Sequence, residues 1–454
     1  MNNQIQIDRM RRFFESGATR SLAFRHDQLR KLAAALEAYE AQLHDALHAD
    51  LRKSPLDAYT SETGFVQSDI RYALKNMRRW SRPQRVAVPA GLHPARAQIV
   101  PEPKGTVLII GPWNYPIQLV LSPLVAAVTA GNCAVIKPSE LTPHTSAALK
   151  TMIENTFDPD YICLVEGGRD VEEELLSQPF DHIFFTGGPE AGRAVALAAA
   201  KQLIPVTLEL GGKSPAMVGE NTCLPVAARR IVRGKFMNAG QICIAPDHVW
   251  VPRSMLSDFT NQLHRTVLQF YGENPQQSPD YGRIVNRHHF DRLVKLAPDC
   301  KRDADDLFIA PTLIIDPPLD SPLMQEEIFG PLLPVLPYDS ENDIIAFCKT
   351  RSAPLALYLF TDDPEQQQRL MRAIPSGGVC INDTISQLIP KELPFGGRGE
   401  SGIGAYHGKT GFDTFSHFRS ILTRSTRFDL AALYPPMNVP LNFLKRGYRF
   451  FAGS

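Results

Sequence analysis

Hydrophobic positions change their spacing along this chain, and the change divides it. Leu29, Leu32, Leu36, Leu43 and Leu47 recur at three, four and seven residues, which places them on one helix face, so residues 27–80 are predicted to be helical. Pro83, which has no amide hydrogen, closes that region. From Thr106 the period shortens. TVLII, CAVIKP, YICLVE, DHIFFTG and PVTLELG are β-branched runs separated by stretches of helical character. Strands alternating with helices predict a parallel sheet covered on both faces. A second alternating block, about 213–415, holds DHVWVP, LFIAPTLII, LLPVLPY, LALYLF and GGVCIN as predicted strands. The fold class is therefore α/β, with two doubly wound parallel-sheet domains. The Pro-rich stretch from Arg82 to Pro103 has no helical period and reads as an arm leaving the first domain. No short repeat or low-complexity segment is evident. Ligands of such sheets bind beyond the C-terminal ends of strands. That directs the search to Asn114, Lys137 to Glu140, Thr186 to Gly188 and Glu209 to Lys213.

Composition narrows the partners without naming one. The 454 residues are 44% hydrophobic, enough for a large core, and Lys plus Arg balance Asp plus Glu at 48 each. That balance gives no reason to expect nucleic acid or a polyanionic substrate. The N-terminus, MNNQIQIDRMRRFF, lacks the apolar run of a secretory signal, so the chain is expected to stay in the cytoplasm. Leu119 to Ala130, the least polar long stretch, is too short to cross a bilayer. The tail after Phe418 mixes Arg419, Arg424, Arg427, Lys445, Arg446 and Arg449 with Tyr434, Phe443, Phe450 and Phe451. It suits either an anionic membrane surface or a subunit interface. Cys133, Cys163, Cys223, Cys243, Cys300, Cys348 and Cys380 lie far apart with no CxxC pair, which argues against a disulfide framework or zinc knuckle. Most are expected to be reduced and buried, and no metal site is predicted.

Three places could carry chemistry. In FTGGPEAG a strand ends at Gly187 and Gly188, and a helix begins with Pro189 at a favourable first-turn position. A pyrophosphate could sit against the free amides of that helix end, although the spacing departs from GxGxxG and a tight structural turn is the plainer reading. GGKS at 211–214 is not a P-loop, because Thr207 stands where the motif needs glycine. Glu209 sits inside the apolar run Val206 to Leu210. Burial there would raise its pKa toward that of a useful general base, unless the following glycine amides simply satisfy it. Cys243 lies in GQICIAP after a predicted helix at 225–237, and a lone cysteine in apolar company is ordinarily inert.

These residues fall in register with a known pattern. GPWNYP (111–116), GNCAVIKPSE (131–140), FTGGPEAG (185–192), LELGGKSP (208–215), GQICIAP (240–246), EEIFGP (326–331) and PFGGRGESGIGAYHGKTGFDTFSH (394–417) together resemble the aldehyde dehydrogenase superfamily over roughly residues 20 to 435. The short N-terminus, SGIGAYHGK and Tyr434-Pro435-Pro436 look most like its class 3 branch, which includes fatty and aromatic aldehyde dehydrogenases. The resemblance implies NAD(P)-dependent oxidation of medium- or long-chain, aromatic or terpenoid aldehydes to acids. It makes Cys243 the nucleophile, Asn114 and the Cys243 amide the oxyanion donors, and Glu209 the base that activates water. Cofactor contacts are implied for Trp113, Lys137, Glu140, Gly188, Gly211, Glu327 and Phe329, with NAD favoured and NADP admissible. The implied domains are 1–81 with 104–210 for the cofactor, 211–415 for catalysis, and 82–103 with 416–454 as a β oligomerisation arm and tail of a homodimer. One departure stands out: Pro189-Glu190 follows the glycine pair where many members carry a small or hydroxylated residue. A CoA-acylating enzyme and a non-catalytic binding protein are the rival readings. Glu209 disfavours the first, and the presence of Cys243, Asn114 and Glu209 disfavours the second.

Overall fold

The computed structural model describes residues 3–89, 92–429, 434–436 and 439–451. Helices Asn3–Glu15, Leu22–Ala38, Glu40–Leu51 and Gly64–Trp80 open the chain. The predicted helical span 27–80 is thus broken rather than continuous. Tyr39 leaves helical geometry, Arg52 turns left-handed at φ 58°, and a π-helical turn occupies Tyr59–Thr63. The leucine spacing hides these breaks, because Leu36 and Leu43 stay buried on either side of the Tyr39 kink.

Among the described residues seventeen strands follow in the order β1 Gln84–Val86, β2 Ala95–Pro103, β3 Thr106–Ile110, β4 Cys133–Lys137, β5 Ile162–Leu164, β6 His182–Thr186, β7 Val206–Glu209, β8 Pro215–Val218, β9 His248–Pro252, β10 Arg302–Asp303, β11 Phe308–Ile309, β12 Thr312–Ile315, β13 Leu332–Tyr338, β14 Ala356–Phe360, β15 Gly378–Ile381, β16 Gly402–Ile403 and β17 Ser416–Arg424. The first large sheet has the order β16-β7-β6-β3-β4-β5. Its strands β3 to β7 are parallel, and β3, β4 and β6 are buried along their whole length, as a sheet covered on both faces requires. The order reverses between β3 and β6. That reversal creates the crevice in which doubly wound sheets bind ligands, and it brings the loops after β3 and β6 together. The second sheet, β12-β13-β9-β8-β14-β15, is parallel throughout. Each large sheet has its own apolar core.

The structure corrects several boundaries. PAMV forms β8, a strand too short and too close to Gly211-Gly212 to stand out by pattern. LFIAPTLII divides at Ala310-Pro311. Its first half is β11, antiparallel to β10, and its second half is β12 in the parallel sheet. Residues 402–415, expected with the second domain, return to the first: β16 lies antiparallel to β7 with Gly402 opposite Glu209, and Tyr406, Phe412 and Phe415 join the first core. Gly402 permits this approach, since a Cβ there would strike the Leu208 carbonyl. Of the seven cysteines, all free, only Cys133 and Cys300 are buried, so most are not core residues as expected.

β1, β2 and β17 form a separate antiparallel sheet in which Ser416 pairs with Pro103 and Arg424 with Ala95. The Pro-rich stretch and the start of the tail are therefore one arm. Beyond it, helix Leu441–Phe451 exposes Leu441, Phe443 and Tyr448; the side chains of Phe450 and Phe451 lie outside the described residues. Among the described residues no helix is long and apolar enough to cross a membrane.

Candidate active site

Two cavities meet at Cys243. One, of about 570 Å³, runs from Gly188 and Pro189 past Thr186, Glu209 and Gly211 to Trp113, Asn114, Glu327, Phe329 and Cys243. The other, of about 160 Å³, is mainly apolar and is walled by Phe65, Tyr115, Leu119, Met237, Ile242, Ile244, Ile385, Phe395 and Tyr406. Cys243 and Leu119 line both. The structure thus collects every predicted site residue on the first cavity except Lys137 and Glu140. Those two stand at the end of β4, joined Nζ to Oε2 at 3.2 Å, with Lys137 buried and Glu140 exposed.

The Cys243 loop is held by amides that sequence reading missed. Asn238 and Ala239 are left-handed, with φ of 51° and 52°, and Gly240 follows at 77°. Such backbone costs roughly 1–3 kcal/mol per non-glycine residue and persists only where its surroundings enforce it. The enforcement is visible. Asn238 Nδ2 donates to the Asn114 carbonyl at 2.9 Å, Gln241 Nε2 donates to the Arg283 carbonyl at 2.9 Å, and the Val285 amide donates to Gln241 Oε1 at 3.0 Å. At Gly240 any Cβ would meet the Gly330 carbonyl. The available signal was the pair of amide side chains in NAGQIC, five and two residues from the thiol.

Asn114 is fixed from two sides. Its Nδ2 donates to the Gln241 carbonyl at 3.0 Å, which leaves the second hydrogen of that nitrogen unassigned. Behind it, Glu62 Oε2 accepts from the amides of Ile117 and Gln118 at 3.1 and 2.8 Å, capping helix Gln118–Ala130, which has no side-chain cap of its own. Glu62 is itself paired with Lys53 at 2.5 Å, both fully buried, and Lys53 Nζ lies 3.8 Å from the Tyr115 ring centre.

The titratable groups are tuned mostly by burial. Both Glu209 oxygens lack a hydrogen-bond partner, and burial drives its pKa well above the ordinary carboxylate range. Burial, then the neighbouring Glu327 and Glu209 carboxyls, pushes the Cys243 thiol up to about 12, while the amides of Cys243 and Ile244 oppose that rise. Burial also lifts Glu327 to about 8, against the Gly212 amide. Its carboxylate lies so close to Gly211 that a Cβ there would displace it. Lys213, paired with Asp247 at 2.5 Å, donates to the Leu323 and Glu326 carbonyls, and Asp247 Oδ2 accepts from the Ile328 amide. This clamp ties the strand-end loop to the segment carrying Glu327 and Phe329. Phe329 has φ 46° and meets Trp113 edge to face at 5.2 Å.

At the other end of the cavity Gly188 precedes helix Pro189–Lys201, whose first turn has no side-chain cap. A Cβ at Gly188 would meet nothing, so its open space and the free amides beside it form an anion cradle. Exposed Glu190 borders the same cavity. A thiol between two cavities, one ending in an anion cradle and the other apolar, suits transfer between a dinucleotide and an apolar carbonyl compound.

The aldehyde dehydrogenase family model matches residues 4–421. The chain belongs to the aldehyde dehydrogenase family. It is an NAD(P)-dependent aldehyde oxidoreductase. It is 45% identical over 445 residues to the 4,4'-diaponeurosporen-aldehyde dehydrogenase of Staphylococcus aureus (strain NCTC 8325 / PS 47), covering 96% of this chain and 97% of that one. It is 43% identical to the dimeric NADP-preferring aldehyde dehydrogenase of Mus musculus, covering 95% and 97% respectively. The substrate-bound state of Staphylococcus aureus AldH superimposes with a TM-score of 0.96 at 44% identity, covering 99% of this chain and 100% of that one.

Proposed function

We propose that this dehydrogenase oxidises medium- to long-chain, aromatic or terpenoid aldehydes to carboxylic acids, with Cys243 as nucleophile and water as the final acceptor. The observation that carries the reading is the position of Cys243 in the walls of both cavities. Only there can a carbon held in the apolar cavity meet a group held along the other. The apolar lining favours an alkyl, aryl or isoprenoid body, since each buried CH₂ contributes about 0.8 kcal/mol.

The residues divide the work. Cys243 gives up its Sγ proton to solvent, and the thiolate, aided by the amides of Cys243 and Ile244, bonds to the aldehyde carbon. The carbonyl π pair moves onto oxygen. The free hydrogen of Asn114 Nδ2 and the Cys243 amide stabilise that oxyanion, and removing one such donor typically costs about 10²–10³ in rate. NAD or NADP, when bound, supplies the hydride acceptor. Gly188 and the helix start at Pro189 would hold its pyrophosphate, and Lys137 with Glu140 the adenosine ribose. Glu327 would hold the nicotinamide ribose, with Trp113, Gly211 and Phe329 around the ring. Exposed Glu140 favours a free 2′-hydroxyl, hence NAD, while buried Lys137 beside it offers a counter-charge for NADP. Glu190 opposes pyrophosphate binding wherever its carboxylate turns inward. With the thioester formed on Sγ, Glu209 takes a proton from water, which attacks the acyl carbon and releases the acid.

The test is absorbance of reduced nicotinamide when purified protein meets NAD or NADP and aldehydes from acetaldehyde to long-chain and aromatic members. Turnover without CoA or phosphate, rising with apolar bulk, is the expected result. Turnover that waits for CoA would replace water as the acceptor.

The same reading extends to assembly and location. The β1-β2-β17 arm supports a homodimer, and the cytoplasm stays the proposed location. Helix Leu441–Phe451 combines exposed Leu441, Phe443 and Tyr448 with Lys445, Arg446 and Arg449, and supports peripheral contact with anionic lipid. Light scattering is expected to give a dimer. Co-sedimentation is expected with phosphatidylserine vesicles, lost in a chain ending before Pro440 and in neutral vesicles. Equal sedimentation of both chains would remove the tail from membrane contact.

A further inference from the structure

The apolar cavity is not uniformly apolar. Among the described residues that line it, Arg233 is the one charged side chain. It stands in the last turn of helix Leu224–Phe236 and is exposed. Among the described residues its side chain makes no ion pair or hydrogen bond, whereas Arg230, one turn earlier, donates to the Asn382 carbonyl and faces Asp383 at 3.9 Å. The helix end is not free to swing away. Thr384 Oγ1 donates to the Arg230 carbonyl at 2.6 Å, and a Cβ on Gly234 would run into Thr384. The segment beginning at Thr384 supplies Ile385, Ser386, Leu388 and Ile389 to the same cavity. An unpaired guanidinium on a fixed helix end therefore lines an apolar passage that reaches the Cys243 thiol, and no acid among the lining residues answers it.

A purely apolar substrate gains nothing from this group and must leave it in water. An apolar chain with an anion at the end remote from the aldehyde would fill the passage and meet the guanidinium. A single fork of N–H donors matches one carboxylate in geometry and charge. We propose that Arg233 is a specificity-determining residue that binds the distal carboxylate of an ω-oxo carboxylic acid, an apolar aldehyde whose other end is an acid. This rests on the aldehyde-oxidising reading of Cys243 and narrows its substrate. The reaction that supplies such a substrate must oxidise the terminal carbon of a fatty acid or cleave an unsaturated one, and the product is a dicarboxylic acid.

The experiment compares, at each chain length from short to long, an ω-oxo acid, its methyl ester and the plain alkanal, in wild type, Arg233→Leu and Arg233→Lys. Folding of each variant is checked by thermal melting. Hydrogen bonds to charged groups are worth about 1.5–3 kcal/mol, so wild type is expected to prefer acid over ester about tenfold in kcat/KM. The preference is expected only at lengths that span Cys243 to Arg233, and mainly in KM. Arg233→Leu should collapse the acid-to-ester ratio toward one, and Arg233→Lys should keep part of it. A ratio of one at every length, in a wild type that oxidises the alkanals, overturns the proposal while leaving the aldehyde reading intact. Oxidation of no aldehyde at all overturns both.

Discussion

Cys243→Ala is expected to abolish aldehyde oxidation, lowering kcat by at least about 10³-fold, the scale on which loss of a covalent nucleophile registers. Cofactor binding should survive, because the anion cradle at Gly188 and the Lys213–Asp247 clamp make no use of the thiol. Trp113 lines the larger cavity, the one proposed for the cofactor, so quenching of its fluorescence by NAD or NADP measures that binding independently of turnover. The substitution removes one sulfur from a partly exposed position and should barely move the melting temperature. No other cysteine lines either cavity, so no other thiol can stand in. Substantial residual oxidation would mean that the aldehyde carbon never bonds to Cys243, and the two-cavity argument would lose its centre.

How far the sequence led can be judged from particular residues. Strand ends were legible, because a buried parallel strand is an unbroken apolar run; the search beyond them reached Asn114, Gly188 and Glu209, which line one cavity. Cys243 was not. It lies in a loop before β9, between isoleucines, and only the joint pattern with six other segments singled it out. What holds the site was illegible for a different reason. Glu62 caps amides 55 residues further along the chain, and Asn238 bonds to the Asn114 carbonyl across 124 residues; no local pattern carries such contacts. The return of β16 to the first sheet was hidden likewise, since a two-residue glycine-flanked strand has neither period nor length. Arg233 belongs with these. In sequence it is one of several arginines on a basic helix, and only the cavity wall separates it from Arg230.

Glu209→Gln separates the two halves of the reaction. Glutamine keeps the shape of the side chain but cannot take a proton, so reduced cofactor should appear in a burst of about one per active site, followed by a steady state slower by roughly 10²–10⁴-fold, the typical worth of a general base. An unchanged steady-state rate would remove Glu209 from water activation. The pH dependence has a definite sign. Burial raises the Glu209 pKa, so the base is ionised only above the ordinary carboxylate range, and wild-type turnover limited by thioester hydrolysis should climb with pH. In the acylated enzyme Sγ has no proton to lose, so the thiol cannot account for that climb. Any rise that persists in Glu209→Gln belongs to Glu327, itself held near 8. Stability moves the opposite way. A carboxyl whose folded pKa is raised binds its proton more tightly folded than unfolded, so its contribution is full in acid and is lost as pH rises through the folded pKa. Wild type should therefore lose melting temperature between mildly acidic and alkaline buffer, and Glu209→Gln should lose less. A single buried carboxyl with neither oxygen partnered thus links the alkaline gain in rate to an alkaline loss in stability.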